Sequence, residues 1–242
     1  MVKSARMNPA ADGQDEIHQH SGWLIPLGVL ITVALLSGLF LLYDLRPGLK
    51  SRDGARSADA APVDLSVRGL SLRIPANYLD NPRQSGARDT LALSALLPNL
   101  SGYTPADAAL FDDNAPNSPV VHLLLKTDDS NLDAAGRLER IYMPYISDPT
   151  GSAGDFGLTR YAFKSDSGYG SEDLFTGGAD TQTVLLLCER ASADLPSPNC
   201  LAIGRPVARN VSFSYRFKRA YLAQWSEIAP RVDGLLARFQ SR

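Results

Sequence analysis

Three histidines and two cysteines are all the imidazoles and thiols that 242 residues supply. His18 and His20 form a His-Gln-His within residues 1–22, and His122 stands between Val121 and Leu123 in an apolar run. Two imidazoles grip a metal weakly, and two thiols alone make no zinc site. No metal and no cofactor are expected. Any Ser-His-Asp or Cys-His mechanism would rest on His122, which on a strand face reads as a packed structural residue. The Gly-x-Ser-x-Gly elbow is lacking, and the serine of GYGSED (168–173) is without the flanking pattern. There is no phosphate-binding loop. Asp129, Asn131 and Asp133 copy the opening of a calcium loop, but Ala134 and Arg140 stand where it requires Gly and a bidentate Glu. That segment reads as a polar turn in which Asn131 or Asp129 caps a helix. Charge of one dominant sign is missing too: 24 basic against 26 acidic residues leave a formal net charge of −2. With no stacking-aromatic motif, this argues against a nucleic-acid partner.

What the chain does have is an uncharged run of 21 residues at positions 23–43, WLIPLGVLITVALLSGLFLLY. A helix of that length spans about 30 Å, the thickness of a bilayer's hydrocarbon core. Trp23 and Tyr43 mark its two ends, where amphipathic rings prefer the headgroup level. A cleaved signal peptide would have a shorter apolar region and a small-residue cleavage site close behind; here Asp44, Leu45, Arg46 and Pro47 follow. The run is therefore read as a retained single-pass anchor. Ala34 and Gly38, four apart, offer a face for a weak homodimer through this helix.

Orientation is pulled two ways. Lys3 and Arg6 precede the run, while Arg46, Lys50, Arg52 and Arg56 follow it, a count that favours a cytoplasmic C-terminal side. Long domains, however, translocate largely regardless of such charges. Cys188 and Cys200 lie near the ends of two apolar stretches, 183–190 and 199–204, joined by a turn-rich loop with two prolines. Neighbouring antiparallel strands would bring them into bridging distance, and a disulfide implies an oxidising compartment. The expectation is an inner-membrane protein with a cytoplasmic N-terminus and a periplasmic C-terminal domain.

The organisation read from composition is a disordered tail (1–22), the anchor (23–43), a Gly-, Ala-, Ser- and charge-rich linker (44–62) and one folded α+β domain (63–242). Strand patterns occupy 63–75, 89–98, 119–127, 156–164, 183–190, 199–204 and 210–218. In the last of these, Val211, Phe213, Tyr215 and Phe217 alternate with Ser212, Ser214, Arg216 and Lys218, predicting one buried and one solvated face. Short helices are expected at 104–111, with Thr104 as N-cap, and at 131–142. A long amphipathic helix should run from about 219 to 240 on the stripe Leu222, Trp225, Ile228, Ala229, Val232, Leu235, Leu236 and Phe239, kinked or split at Pro230. The predicted domain is thus one mainly antiparallel sheet covered by that helix.

For function, the sequence favours a non-enzymatic envelope protein whose domain binds a protein partner or supports a membrane complex. Two other classes stay open: an immunity or inhibitor protein, and an envelope hydrolase working through carboxylates such as Glu172 and Asp173. Basic residues concentrate late in the chain, where Arg216, Lys218 and Arg219 cluster at the strand-to-helix junction. They form either a partner or lipid patch or a solvated surface.

Overall fold

The computed structural model describes residues 24–44, 56–179 and 182–240. Residues 1–22 with His18 and His20, Trp23 at the start of the apolar run, and residues 45–55 lie outside the described residues. The chain divides into two units, Met1–Ser51 and Arg52–Arg242.

In the first unit, α1 (Leu24–Asp44) is a 21-residue helix. Its side chains are described from 26 to 38 only, and Leu27, Leu30, Leu35 and Leu36 are exposed there. At 1.5 Å per residue that stretch covers roughly 20 Å. Among the residues so described, no helix is long and apolar enough to cross a membrane. Tyr43, whose side chain falls beyond them, is described in backbone only.

The second unit is mixed α+β. Its strands are β1 (Pro62–Val67), β2 (Leu70–Pro75), β3 (Gly86–Arg88), β4 (Thr90–Leu96), β5 (Val120–Thr127), β6 (Ser152–Ala153), β7 (Thr159–Tyr161), β8 (Glu172–Ala179), β9 (Gln182–Glu189), β10 (Asn199–Ala208) and β11 (Val211–Lys218). Eight of them make a large sheet in the order β4-β5-β11-β10-β9-β8-β7-β6, with every pairing antiparallel. The α-helices are α2 (Ala108–Asp112), α3 (Ala134–Arg137), which continues as a π turn over Leu138–Tyr142, and α4 (Trp225–Gln240). The helix expected from about 219 starts as a 3₁₀ segment, Arg219–Gln224, and becomes α only at Trp225. Thr104 begins the first short helical segment without a capping bond to backbone. Asp133 caps α3, accepting from the Gly136 N–H at 2.8 Å.

Two departures from the expected domain have clear physical causes. A second sheet exists, in the order β2-β1-β3. The run 63–75 is a hairpin and not one strand, because Arg68 (φ 48°) and Gly69 (φ 85°) take left-handed conformations and turn the chain. Two consecutive positive φ values match the twist of a two-residue hairpin. The second departure concerns β11, where Ser212, Ser214 and Lys218 are buried although they lie opposite the apolar set. Lys218 is held by Asn114 and Ser197 of connecting segments, and other segments pack on the same face of neighbouring strands. Ala134, Tyr142, Ile146 and Phe163 pack on Leu174 and Leu185 at one end of the sheet, and Phe111 packs on Leu96 and Val120 at the other.

The opposite face carries the main core. There Leu91, Leu93, Val121, Leu123, Leu125, Phe213, Phe217 and Leu186 meet the small sheet's Leu65, Val67, Leu72 and Ile74 and the predicted stripe of α4. Every member of that stripe is buried. The helix runs through Pro230 without a break. The bond that Pro230 cannot donate would go to Ser226, which is exposed, so water can satisfy that carbonyl. Close approach is tightest at Gly177 on β8: a Cβ there would lie 2.4 Å from the Trp225 ring.

Cys188 on β9 and Cys200 on β10 are direct cross-strand partners with Cα atoms 4.0 Å apart, and they form a disulfide buried in the main core.

Two stability predictions follow from this packing. Joint replacement of Cys188 and Cys200 by Ser should cost about 3 kcal/mol, the order expected for closing a loop of this length; a denaturant melt matching the parent's would contradict it. Gly177→Ala should cost about 2 kcal/mol by overpacking against Trp225, whereas an unchanged midpoint would show that the ring can yield.

Candidate functional site

Strand register decides which polar side chains meet. On the helix-facing side of the large sheet, Asp173 of β8 stands beside Cys188, which stands beside Cys200. Asp173 is only 3 % exposed yet it is charged and fully engaged. Arg160 reaches its Oδ1 at 2.7 Å, Arg190 the same oxygen at 3.2 Å, and Arg219 its Oδ2 at 2.8 Å. Burial works against the carboxylate, but hydrogen bonds from Arg219 and Arg160 outweigh it and hold its pKa below the ordinary value. Arg219 also donates to the carbonyls of Cys188 and Glu189 and lies over the Phe175 ring. The result is a structural ion cluster that ties β7, β8, β9 and the start of the C-terminal helical segment together.

Glu172, the neighbouring residue on β8, projects to the other face of the sheet by strand alternation. It lies opposite Glu189 in the register, and burial followed by repulsion from Glu189 raises its pKa. Glu172 and Asp173 therefore do not converge on one site. The structure also separates the three basic residues clustered in the sequence. Arg219 turns to Asp173, while Lys218 is buried and donates to the Asn114 Oδ1 at 2.6 Å.

Arg216 remains on the outer face and belongs to a groove of about 290 Å³. The groove is lined by Asp80, Ala92, His122, Leu124, Leu201, Ser214 and Arg216. Its floor comes from β4, β5, β11 and β10, where Ser94 pairs with His122 and His122 with Arg216. A polar chain runs along it. Arg56 donates to the Asp80 Oδ1 at 2.8 Å, the Ser94 hydroxyl donates to the same oxygen at 2.7 Å, and the His122 Nδ1 lies 3.1 Å from that hydroxyl. Since the proton of Ser94 is committed to Asp80, the Nδ1 of His122 is the donor in the last contact. Burial, and after it the charge of Arg216, pushes the His122 pKa below 6.5, so the ring is neutral near pH 7. The order Asp-Ser-His puts a fully buried serine in the middle, whereas a nucleophilic triad needs the histidine there. This is a positioned polar network beside a groove.

A larger hollow, about 510 Å³, lies beside β1, β2 and the end of α4. Its charged pair, Asp64 and Arg73, face each other in the strand register, and no half-buried titratable group lines it. The near-match to a calcium loop dissolves into local bonds. Asn131 and Asn210 exchange hydrogen bonds at 2.8 Å, and Asp133 is the cap of α3. Among the described residues, no cluster of His, Cys, Asp or Glu suits a metal. Sequence reading isolated His122 and Arg216 but missed Asp80, Ser94, Ser214 and Leu201, which only the pairing of four strands brings to them.

No family model and no curated protein matches the sequence. Among solved structures, the chain is similar in fold to an immunity protein of the Stenotrophomonas maltophilia type IV secretion system. The TM-score is 0.53 at 17 % identity, covering 76 % of this chain and 95 % of that one. It also matches the iron-regulated outer membrane lipoprotein FrpD of Neisseria meningitidis at a TM-score of 0.46 and 14 % identity, over 78 % of this chain and 96 % of that one; that likeness is too slight to argue from.

The ion clusters set an acid limit. Asp128, where burial is outweighed by hydrogen bonds from Ser130 and Arg137, titrates at about 2 instead of 3.8, and Asp173 is lowered as well. Both groups are more acidic folded than unfolded, so their stabilisation is present above the ordinary carboxylate range and is lost as pH falls through the folded-state value, which for Asp128 is about 2. Asp173→Asn should cost about 3 kcal/mol at pH 7 by leaving the guanidinium groups uncompensated. It should also flatten the acid limb of the stability curve; a limb as steep as the parent's would contradict this.

Proposed function

We propose that this chain is a single-pass, membrane-anchored binding protein of the immunity type, whose domain lies outside the cytoplasm and takes up a protein partner. The observation that carries this reading is the fold likeness to an immunity protein over 95 % of that protein's length. Fold alone does not fix function, so three features of the chain itself matter. The apolar run at 23–43 is the right length for an anchor. The buried Cys188–Cys200 disulfide suits an oxidising compartment such as the periplasm, with the N-terminus cytoplasmic. Two polar groups of the sheet support a binding reading: Asp173 is saturated by arginines, and Ser94 gives its proton away from His122.

In this reading the anchor keeps the domain at the inner membrane, where an incoming protein would be met, and Ala34 with Gly38 gives a weak association between two anchors. An envelope hydrolase would require a cleft that joins carboxylates, and Glu172 and Asp173 lie on opposite faces of their strand.

The test is growth in competition. Cells lacking the gene, mixed with secretion-competent parent cells, should be outgrown. The full chain supplied in trans should restore them, and residues 56–242 without the anchor should not. Equal growth of deleted and parent cells in contact would contradict the immunity reading.

A further inference from the structure

The groove on the outer face holds a cation that the fold itself does not use. Arg216 is exposed, and among the described residues it makes no hydrogen bond or ion pair. Asp80 of the same groove and Glu189, which acts on the neighbouring Lys218, are committed elsewhere. Asp80 accepts from Arg56 and Ser94, and Glu189 accepts from both the backbone and side-chain nitrogens of Asn199. Its cationic neighbour on the same strand, Lys218, donates to the Asn114 side chain and the Ser197 carbonyl, neither of which carries charge. With His122 neutral, the Arg56–Asp80 pair cancels and the charge of Arg216 is left over.

We infer that this groove takes a carboxylate of the partner protein, from an Asp or Glu side chain flanked by apolar residues, with Arg216 as its anchor. The inference rests on the binding role proposed above and names the chemistry the groove would read. The guanidinium presents a planar fork that fits a carboxylate through two parallel bonds. The Ser214 hydroxyl is a second donor at the floor. Leu124 and Leu201 supply apolar walls, and Leu201 is 36 % exposed. They favour an occupant that is apolar beside its charge. The volume of about 290 Å³ accommodates a side chain with parts of its neighbours and falls at the low end for a whole small-molecule ligand. A phosphate group is less well matched. Phosphate sites commonly use free backbone N–H groups, whereas the floor strands β5 and β11 are paired on both sides and their amides are spent in the sheet.

The test uses the full chain in detergent micelles and two capped tripeptides, acetyl-Leu-Glu-Leu-amide and its Gln counterpart, with the His122 ring signal read by NMR. The Glu peptide should shift that signal saturably. The Gln peptide, or Arg216→Gln with the Glu peptide, should require about tenfold more ligand, the loss expected for one charge-assisted pair. Arg216 is exposed and unpaired, so the variant should melt with the parent, which separates lost binding from lost folding. Equal shifts from both peptides, an unaffected R216Q, no shift up to the solubility limit, or equally effective competition by inorganic phosphate would each overturn the inference. Peptide binding without any growth defect in competition would leave the groove's chemistry standing and remove the immunity reading; a growth defect without peptide binding would do the reverse.

Discussion

Eight apolar side chains, from Leu222 through Phe239, press the C-terminal helical segment onto one face of the large sheet. Each fully buried one contributes about 2 kcal/mol, and together they decide how the rest of the domain is used. The face they cover belongs to the core, joined there by Leu65, Val67, Leu72 and Ile74 of the small sheet. Function is left with the other face, or with an edge. On that other face the covering is partial. The segments around Tyr142 and Phe163 close one end, Phe111 closes another, and the groove between β4, β5, β11 and β10 stays open.

The same register that builds the core also places the charges. Asp173, Cys188 and Cys200 stand side by side across three strands. A buried carboxylate there would be costly alone, and the guanidinium groups of Arg160, Arg190 and Arg219 compensate it. Because Arg219 begins the segment that leads into α4, the ion cluster and the disulfide secure the junction from which the helix is laid onto the sheet. Glu172 and Lys218 are one residue out of phase with Asp173 and Arg219, and that single step sends their side chains elsewhere.

Periodicity made much of this legible. From Trp225 to Phe239 the stripe is buried as its 3.6-residue spacing requires, Leu222 is buried in the 3₁₀ segment before it, and the two cysteines are bridged as their flanking strands suggested. What stayed hidden depended on tertiary context. The hairpin at Arg68 and Gly69 was concealed because arginine seldom adopts a positive φ. Strand β8 was concealed by its two glycines and by charged residues at its start, and Gly177 is there because Trp225 leaves no room for a Cβ. The solvated face expected for β11 is reduced to Arg216: Ser212, Ser214 and Lys218 are buried, and Lys218 is held by Asn114 and Ser197, distant in sequence. The groove was illegible for the same reason: Ser94, His122 and Arg216 are neighbours only through the β4–β5 and β5–β11 registers.

Where the domain resides decides which partners can reach the open groove and whether the disulfide can persist. A phosphatase or fluorescent reporter fused after Arg242 measures this directly. The expected result is a fusion active in the extracytoplasmic space, in a chain that stays with the membrane. A reporter active only in the cytoplasm would contradict it.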